Sequence, residues 1–206
     1  MDVPCSQSSR IRGVQVPAFF PESGPVDVVI FGEAPGPRGA DQSGIPFWGD
    51  GAGIPLYRAM ERAGRAVIPA EAWEPWDGER FRELGLRPVI RGIVLSNAFP
   101  ACPTEDGKRF RAPSKTELRS PENRRRIESE LERAEALGAR VAVTLGRCAQ
   151  QTAGSLAEAR GWRLEAFPHP SSQGLLMSAP GKGKGLRLAD LRAAWEERLL
   201  SVLLAV

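Results

Sequence analysis

Four short, largely apolar runs, the first three carrying β-branched residues, recur along the chain, with stretches of helical spacing between them. They are Val-Asp-Val-Val-Ile-Phe at 26–31, Val-Ile-Arg-Gly-Ile-Val-Leu at 89–95, Val-Ala-Val-Thr-Leu at 141–145 and Leu-Glu-Ala-Phe at 164–167. The most apolar of these show no strict polar alternation, which predicts strands buried on both faces. Between them, residues 55–63 set Leu56, Met60 and Ala63 on one helical face. Ser120-Pro121 offers an N-cap hydroxyl followed by proline at the first helical position. The helix expected over 121–137 presents Ile127, Leu131, Ala134 and Leu137 together, and Gly138 stops it. A last helix carries Leu188, Leu191, Trp195, Leu199 and Val202 at helical spacing. Strands alternating with helices predict an α/β domain around a mostly parallel sheet of about four strands. Residues 1–24 lack periodicity and read as an irregular arm, leaving 25–206 as one domain.

Composition narrows the chemistry. The 206 residues are 42% hydrophobic, enough for a core without disulfides. Three cysteines, Cys5, Cys102 and Cys148, form no C-x-x-C pair. They are too few for a disulfide framework, a structural zinc or a four-cysteine iron–sulfur cluster. Such sparse cysteine usage suits a reducing cytoplasm. The first residues have neither the basic start nor the apolar run of a signal peptide. The apolar stretch at 199–206 is too short to span a bilayer. The single histidine, His169, confines all imidazole chemistry to one place. The 28 basic residues exceed the 25 acidic ones by three. All but four of them are arginine; the lysines, Lys108, Lys115, Lys182 and Lys184, fall in glycine- or proline-rich segments. Cations on loops suit phosphate contact, with plain solubility as the competing reading.

In parallel α/β sheets ligands bind outside the carboxyl ends of the strands. Three of those ends carry unusual loops, at 32–53, 97–120 and 168–185. The first begins Gly32-Glu33-Ala34-Pro35-Gly36 and runs through Asp41 to Ile45-Pro46-Phe47-Trp48-Gly49. Glycines after a strand expose backbone N–H groups to an anionic oxygen. No Walker-type phosphate loop is present, and a structural turn is the alternative. The second places Asn97 directly after a strand, where a side-chain amide offers a donor and an acceptor to a base edge, or simply caps a turn. The third is Pro168-His169-Pro170-Ser171-Ser172, in which two prolines stiffen the loop around the imidazole. Such a group can stabilise developing negative charge, or can be an ordinary surface histidine. A serine hydrolase is disfavoured because no G-x-S-x-G elbow occurs.

Together these segments resemble the uracil-DNA glycosylase superfamily, closest to family four and related bacterial branches. The matching pieces are Gly32 to Gly36, the G-x-P-F-x-G segment from Gly44 to Gly49, Asn97 to Pro103, the strand at 141–145 continuing to Ala149, and His169-Pro170-Ser171. They occur in the family's order over roughly residues 26–200. The resemblance implies a three-layer α/β/α fold and a monofunctional enzyme. It would hydrolyse the N-glycosidic bond of uracil in DNA by flipping the base out, and leave an abasic site. It further implies that Gly32 and Glu33 offer backbone to a uracil carbonyl, Phe47 stacks on the base and Asn97 reads its edge. His169 would stabilise the departing uracil anion. Asp41 is the first candidate for orienting the attacking water and Glu33 the second. Leu175 and Leu176, in the loop opened by Ser171 and Ser172, would wedge into the DNA, with Lys182, Lys184, Arg109 and Arg111 on the backbone phosphates. The family-four cluster cysteines are missing, so no iron–sulfur cluster is expected. The partner would be uracil-containing DNA, met by a monomer. A broader base range (hypoxanthine, xanthine), a non-catalytic single-strand binder and a nucleotide-binding enzyme are the competing readings.

Overall fold

The computed structural model describes residues 11–206; Cys5 and the start of the arm lie outside the described residues. Four strands form a parallel sheet: β1 (Val26–Gly32), β4 (Gly92–Asn97), β5 (Val141–Leu145) and β6 (Arg163–Phe167), in the order β4-β1-β5-β6. Two further strands, β2 (Ala66–Val67) and β3 (Val89–Ile90), make a small antiparallel pair.

The alternation of side chains along the central strands builds two cores at once. Val28, Ile30, Ile93, Leu95, Val141, Val143 and Leu145 enter one apolar cluster. That cluster is covered by α2 (Gly53–Arg62) and α9 (Leu188–Leu204). Val29, Phe31, Val94 and Ala142 enter the other, beneath α5 (Pro121–Ala136). Burying one such side chain contributes about 1.5–3 kcal/mol, so a strand whose every residue faces a core is strongly selected at the centre. An irregularity in pairing between Val26 and Val28 puts Val26 in the second cluster. The result is a three-layer α/β/α fold, as the sequence motifs imply.

Individual elements follow local chemistry. Ser120 caps α5 by accepting from the backbone N–H of Asn123, with Pro121 at the first position. Ile127, Leu131 and Ala134 are buried, whereas Leu137 lies past the last turn and is exposed. The run expected as one strand at 89–95 divides into β3 and β4. Gly92 takes a left-handed φ of 68°, so the chain turns there and each half pairs with a different neighbour. Further short helices are α1 (Ala40–Ser43), α3 (Gly78–Leu84), α4 (Lys115–Leu118), α6 (Arg147–Ala149) and α7 (Ser155–Ala159). The segment read as a loop over 168–185 contains a two-turn helix, α8 (Ser172–Ser178), whose N-cap Ser171 accepts from the N–H of Gly174.

Aromatic residues at 73–81 close the first core from the side. Trp48 meets Phe81 at 4.5 Å, Trp76 at 4.8 Å and Tyr57 at 5.0 Å between ring centroids. The described part of the arm runs along the open edge of β4. Phe19 and Leu95 exchange backbone hydrogen bonds of 2.8 and 3.0 Å, which covers an otherwise exposed strand edge.

Candidate functional site

The strand order brings four carboxyl ends to one edge. Gly32 stands opposite Asn97, and Leu145 opposite Phe167. The backbone pairing runs on past the strands. Ala98 N–H donates to Gly32 at 2.8 Å, Phe99 N–H to Glu33 at 2.9 Å, and Gly146 N–H to Phe167 at 2.8 Å. The chain leaves β1 toward β4 and later returns on its other side with β5. The carboxyl end of β1 is therefore the topological switch point, the place where α/β sheets bind ligands.

Gly32, Phe47 and Asn97 meet there. A Cβ built on Gly32 would lie 2.5 Å from Asn97 Oδ1 and 2.6 Å from the Phe47 ring, so only glycine lets amide and ring close over the strand end. Phe47 is 5% exposed and holds a left-handed φ of 63°, rare for a bulky residue and worth about 1–3 kcal/mol of strain. Asn97 is 3% exposed, and its amide nitrogen has no hydrogen-bond partner among the described residues. Leaving such a donor unsatisfied costs about 1–3 kcal/mol, so an unpaired one at a strand end that can bind ligands calls for an external acceptor. Gly32→Ala is therefore expected to abolish binding of a free base in the crevice. Thermal stability should fall by no more than a few degrees. Titration of uracil followed by tryptophan fluorescence, beside a melting curve, checks this; unchanged binding would show that the three residues do not form a ligand pocket.

His169 follows β6, packed against two glycines. A Cβ on Gly146 would come 3.2 Å from that of His169, and one on Gly174 2.9 Å. Its Nδ1 accepts the Ser171 N–H at 3.3 Å, which puts the ring proton on Nε2 and makes that nitrogen a donor. Burial lowers the imidazole pKa, so the ring is neutral at pH 7. Glu33 is half-buried and carries no hydrogen bond on its carboxylate among the described residues; desolvation raises its pKa. It lies close enough to Cys148 to help burial push that thiol up to about 12.

Asp41 has a different task from the one expected of it. It is fully buried, and both carboxylate oxygens are taken: the N–H groups of Arg12 and Gly13 donate at 2.6 and 2.8 Å, and Gln42 Nε2 at 3.0 Å. It anchors the arm, with both carboxylate oxygens already accepting hydrogen bonds. Asp50, to which sequence reasoning gave no role, braces the first loop. One of its oxygens accepts from Gly36 and Ala40 N–H at 3.2 and 3.1 Å, and burial raises its pKa to about 6. Its position between Gly49 and Gly51 was the available signal.

The expected DNA contacts divide. Leu175 is 4% exposed inside the first core and is no wedge as it stands, because α8 turns that face inward. Leu176 is half-buried, and Met177 is the apolar side chain of this helix that projects. Ser171 caps α8, and Ser172 Oγ accepts from Arg192 at 3.0 Å. Arg111 is engaged by Glu117 through two 2.7 Å hydrogen bonds, which hold that carboxyl at about 2; it is not a free cation. Arg109 is exposed. Lys182 and Lys184 are exposed with no ion-pair partner among the described residues, as are Arg38 within the first loop and Arg147 after Gly146. The last two were missed, although a cation two residues past the end of β5 made Arg147 legible. Lys182→Ala with Lys184→Ala is expected to weaken binding to every DNA sequence alike. The slope of log affinity against log salt should flatten by about 1–2. Fluorescence anisotropy at several salt concentrations measures it; an unchanged slope would put this loop away from DNA.

Among the described residues no helix is long and apolar enough to cross a membrane. A comparison with curated proteins gives no match. A family model, described as Uracil DNA glycosylase superfamily, matches residues 20–197. That span includes all four strands of the parallel sheet and every strand-end loop of the crevice, so the chain belongs to the uracil DNA glycosylase superfamily, whose members are DNA glycosylases.

Proposed function

We propose that the protein hydrolyses the N-glycosidic bond of uracil in DNA and leaves an abasic site. The observation that carries this reading is the unpaired amide nitrogen of Asn97, whose amide oxygen lies with the Phe47 ring over Gly32. A flipped uracil offers what that arrangement lacks: a π-face for the ring, and a carbonyl oxygen, O4, for the N–H donor. Asn97 Oδ1 is the natural acceptor for the neighbouring N3–H.

In the proposed reaction the glycosidic bond breaks with its electron pair moving to uracil, and negative charge builds on the base oxygens. The Nε2–H of neutral His169 donates to that charge. A backbone N–H in the first loop adds a second donor. Glu33 accepts the proton of the water that attacks the sugar carbon; its raised pKa suits a base that works near neutral pH. Water is the nucleophile, so the reaction takes no metal or cofactor. Cys102 and Cys148 stay protonated, since burial lifts both thiols to about 12. The matched motifs contain no lysine for a Schiff base, and the product is an intact abasic site. Met177 takes the wedge role first assigned to Leu175, and a monomer suffices.

A second reading rests on the same nitrogen. One N–H donor demands a carbonyl oxygen but not a pyrimidine, and hypoxanthine and xanthine carry one at the corresponding edge. The test is incubation with labelled oligonucleotides bearing one uracil, hypoxanthine, xanthine or thymine, single- and double-stranded, followed by alkali. Cleavage at uracil alone supports the first reading, and cleavage at the purines as well supports the second. Binding without turnover would overturn both in favour of a single-strand binder.

A further inference from the structure

Helix α5 carries three polar side chains on the side facing the end of β4. Asn123, Arg126 and Glu130 stand three and four positions apart, hence on one face. Each reaches the strand end. Arg126 donates to the carbonyl of Asn97 at 2.9 Å and to that of Ala98 at 3.2 Å. Asn123 donates to Ala98 O at 2.9 Å. Glu130 accepts from the Ser96 hydroxyl at 2.6 Å. The three are also bonded to one another. Arg126 donates to Asn123 Oδ1 at 2.9 Å and to Glu130 at 2.6 Å, in an ion pair whose side chains are only 20% and 12% exposed. Three consecutive residues of the strand end are thus held from one helix.

We infer that Arg126, locked by Asn123 and Glu130, is a positioning residue that fixes the angle at which Asn97 presents its amide to the base. The inference rests on the proposed reading of Asn97 as the base reader. A need for backbone partners alone does not call for this arrangement. Past the Phe19–Leu95 bridge β4 has no strand on its outer side, so its terminal carbonyls do need donors. Water or a neutral side chain satisfies a carbonyl near a protein edge. A partly buried, charge-assisted cluster is costly to build and rigid once built. Its rigidity falls on the peptide units flanking Asn97, whose amide nitrogen has no partner among the described residues. A bonded pair of hydrogen-bonding atoms discriminates between bases only if its geometry is held within about 0.5 Å.

The test uses the full chain in single-turnover excision of uracil and hypoxanthine from an oligonucleotide, with DNA affinity and melting temperature measured beside it. Arg126→Ala is expected to slow uracil excision by about 10- to 100-fold. DNA affinity should stay unchanged, and preference between the two bases should shrink. Arg126→Lys, which reaches one carbonyl but cannot fork, should recover part of the rate. In the Asn97→Ala background, Arg126→Ala should slow excision no further, because the group it positions is gone. Should Arg126→Ala fail to fold, Ser96→Ala and Glu130→Gln loosen the same cluster more gently and should shrink base preference in the same direction. Full additivity with Asn97→Ala, or a fall in melting temperature with rate and preference intact, overturns the inference and leaves the cluster structural. If Asn97→Ala itself excises like the parent, the reading of Asn97 fails, and the inference with it.

Discussion

His169→Ala is expected to lower the single-turnover rate of uracil excision by about 10²–10³ while leaving affinity for uracil-containing DNA close to the parent's. The size follows from the state of the ring. The Ser171 N–H occupies Nδ1, and burial keeps the imidazole neutral, so Nε2–H is a fixed donor that needs no proton from solvent. Uracil in DNA is neutral and gains little from such a donor; the departing anion gains much more. The difference between those two interactions appears in the rate and not in binding. His169→Gln, which can still donate through its amide, should fall between parent and alanine. Stopped-time excision at excess enzyme, with anisotropy for binding, separates the two quantities. A parental rate for His169→Ala would reduce His169 to a packed loop histidine.

Asn97→Ala is expected to cost uracil excision about 10²-fold or more with the fold intact. Uracil presents N3–H beside O4, and an amide that accepts from the first and donates to the second is complementary to both. Cytosine presents an acceptor and an N4–H₂ donor instead, which leaves the same amide mismatched. In groove readout a good two-bond pair is worth about 1–3 kcal/mol of discrimination. A buried site does better, because the wrong base leaves polar groups unpaired. Asn97→Asp should lose uracil as heavily and shift the ratio of excision toward cytosine, since a carboxylate accepts from N4–H₂ but cannot donate to O4. Both variants are compared on uracil and cytosine oligonucleotides, with circular dichroism as the folding control. If Asn97→Ala keeps parental excision, the residue only ends a strand.

The strand ends were legible because their signals are local. Val28 to Phe31 are apolar on both faces and Val141 to Leu145 nearly so, with Thr144 the one polar position, and the glycine after each marks where the strand stops. The features that escaped depend on partners distant in sequence. Asp41 looks like any acidic residue near a glycine loop; the backbone N–H groups of Arg12 and Gly13 that consume it lie some thirty positions earlier. Arg111 and Glu117 are separated by a turn whose path no periodicity reveals. Gly174 hid α8, since a glycine so early suggests a loop, yet it allows the approach to His169 where a Cβ would sit only 2.9 Å from that residue's own. Asn123, Arg126 and Glu130 read as three polar positions on an amphipathic helix until β4 is placed beneath them.

The strand order has a consequence for when the site comes into being. β1 is made first and sits in the interior of the sheet, but both of its neighbours arrive much later, and His169 follows only the last strand. During synthesis the first loop therefore emerges long before the surfaces that shape it, and Phe47 has nothing to hold its unusual backbone. Parallel pairings between distant segments form slowly, because loop closure must precede the contacts that reward it. Base recognition and rate enhancement should consequently appear together, in one late step that coincides with closure of the whole sheet. A refolding chain should regain excision at the same rate as it buries its tryptophans, with no earlier species that binds DNA bases but cannot release them.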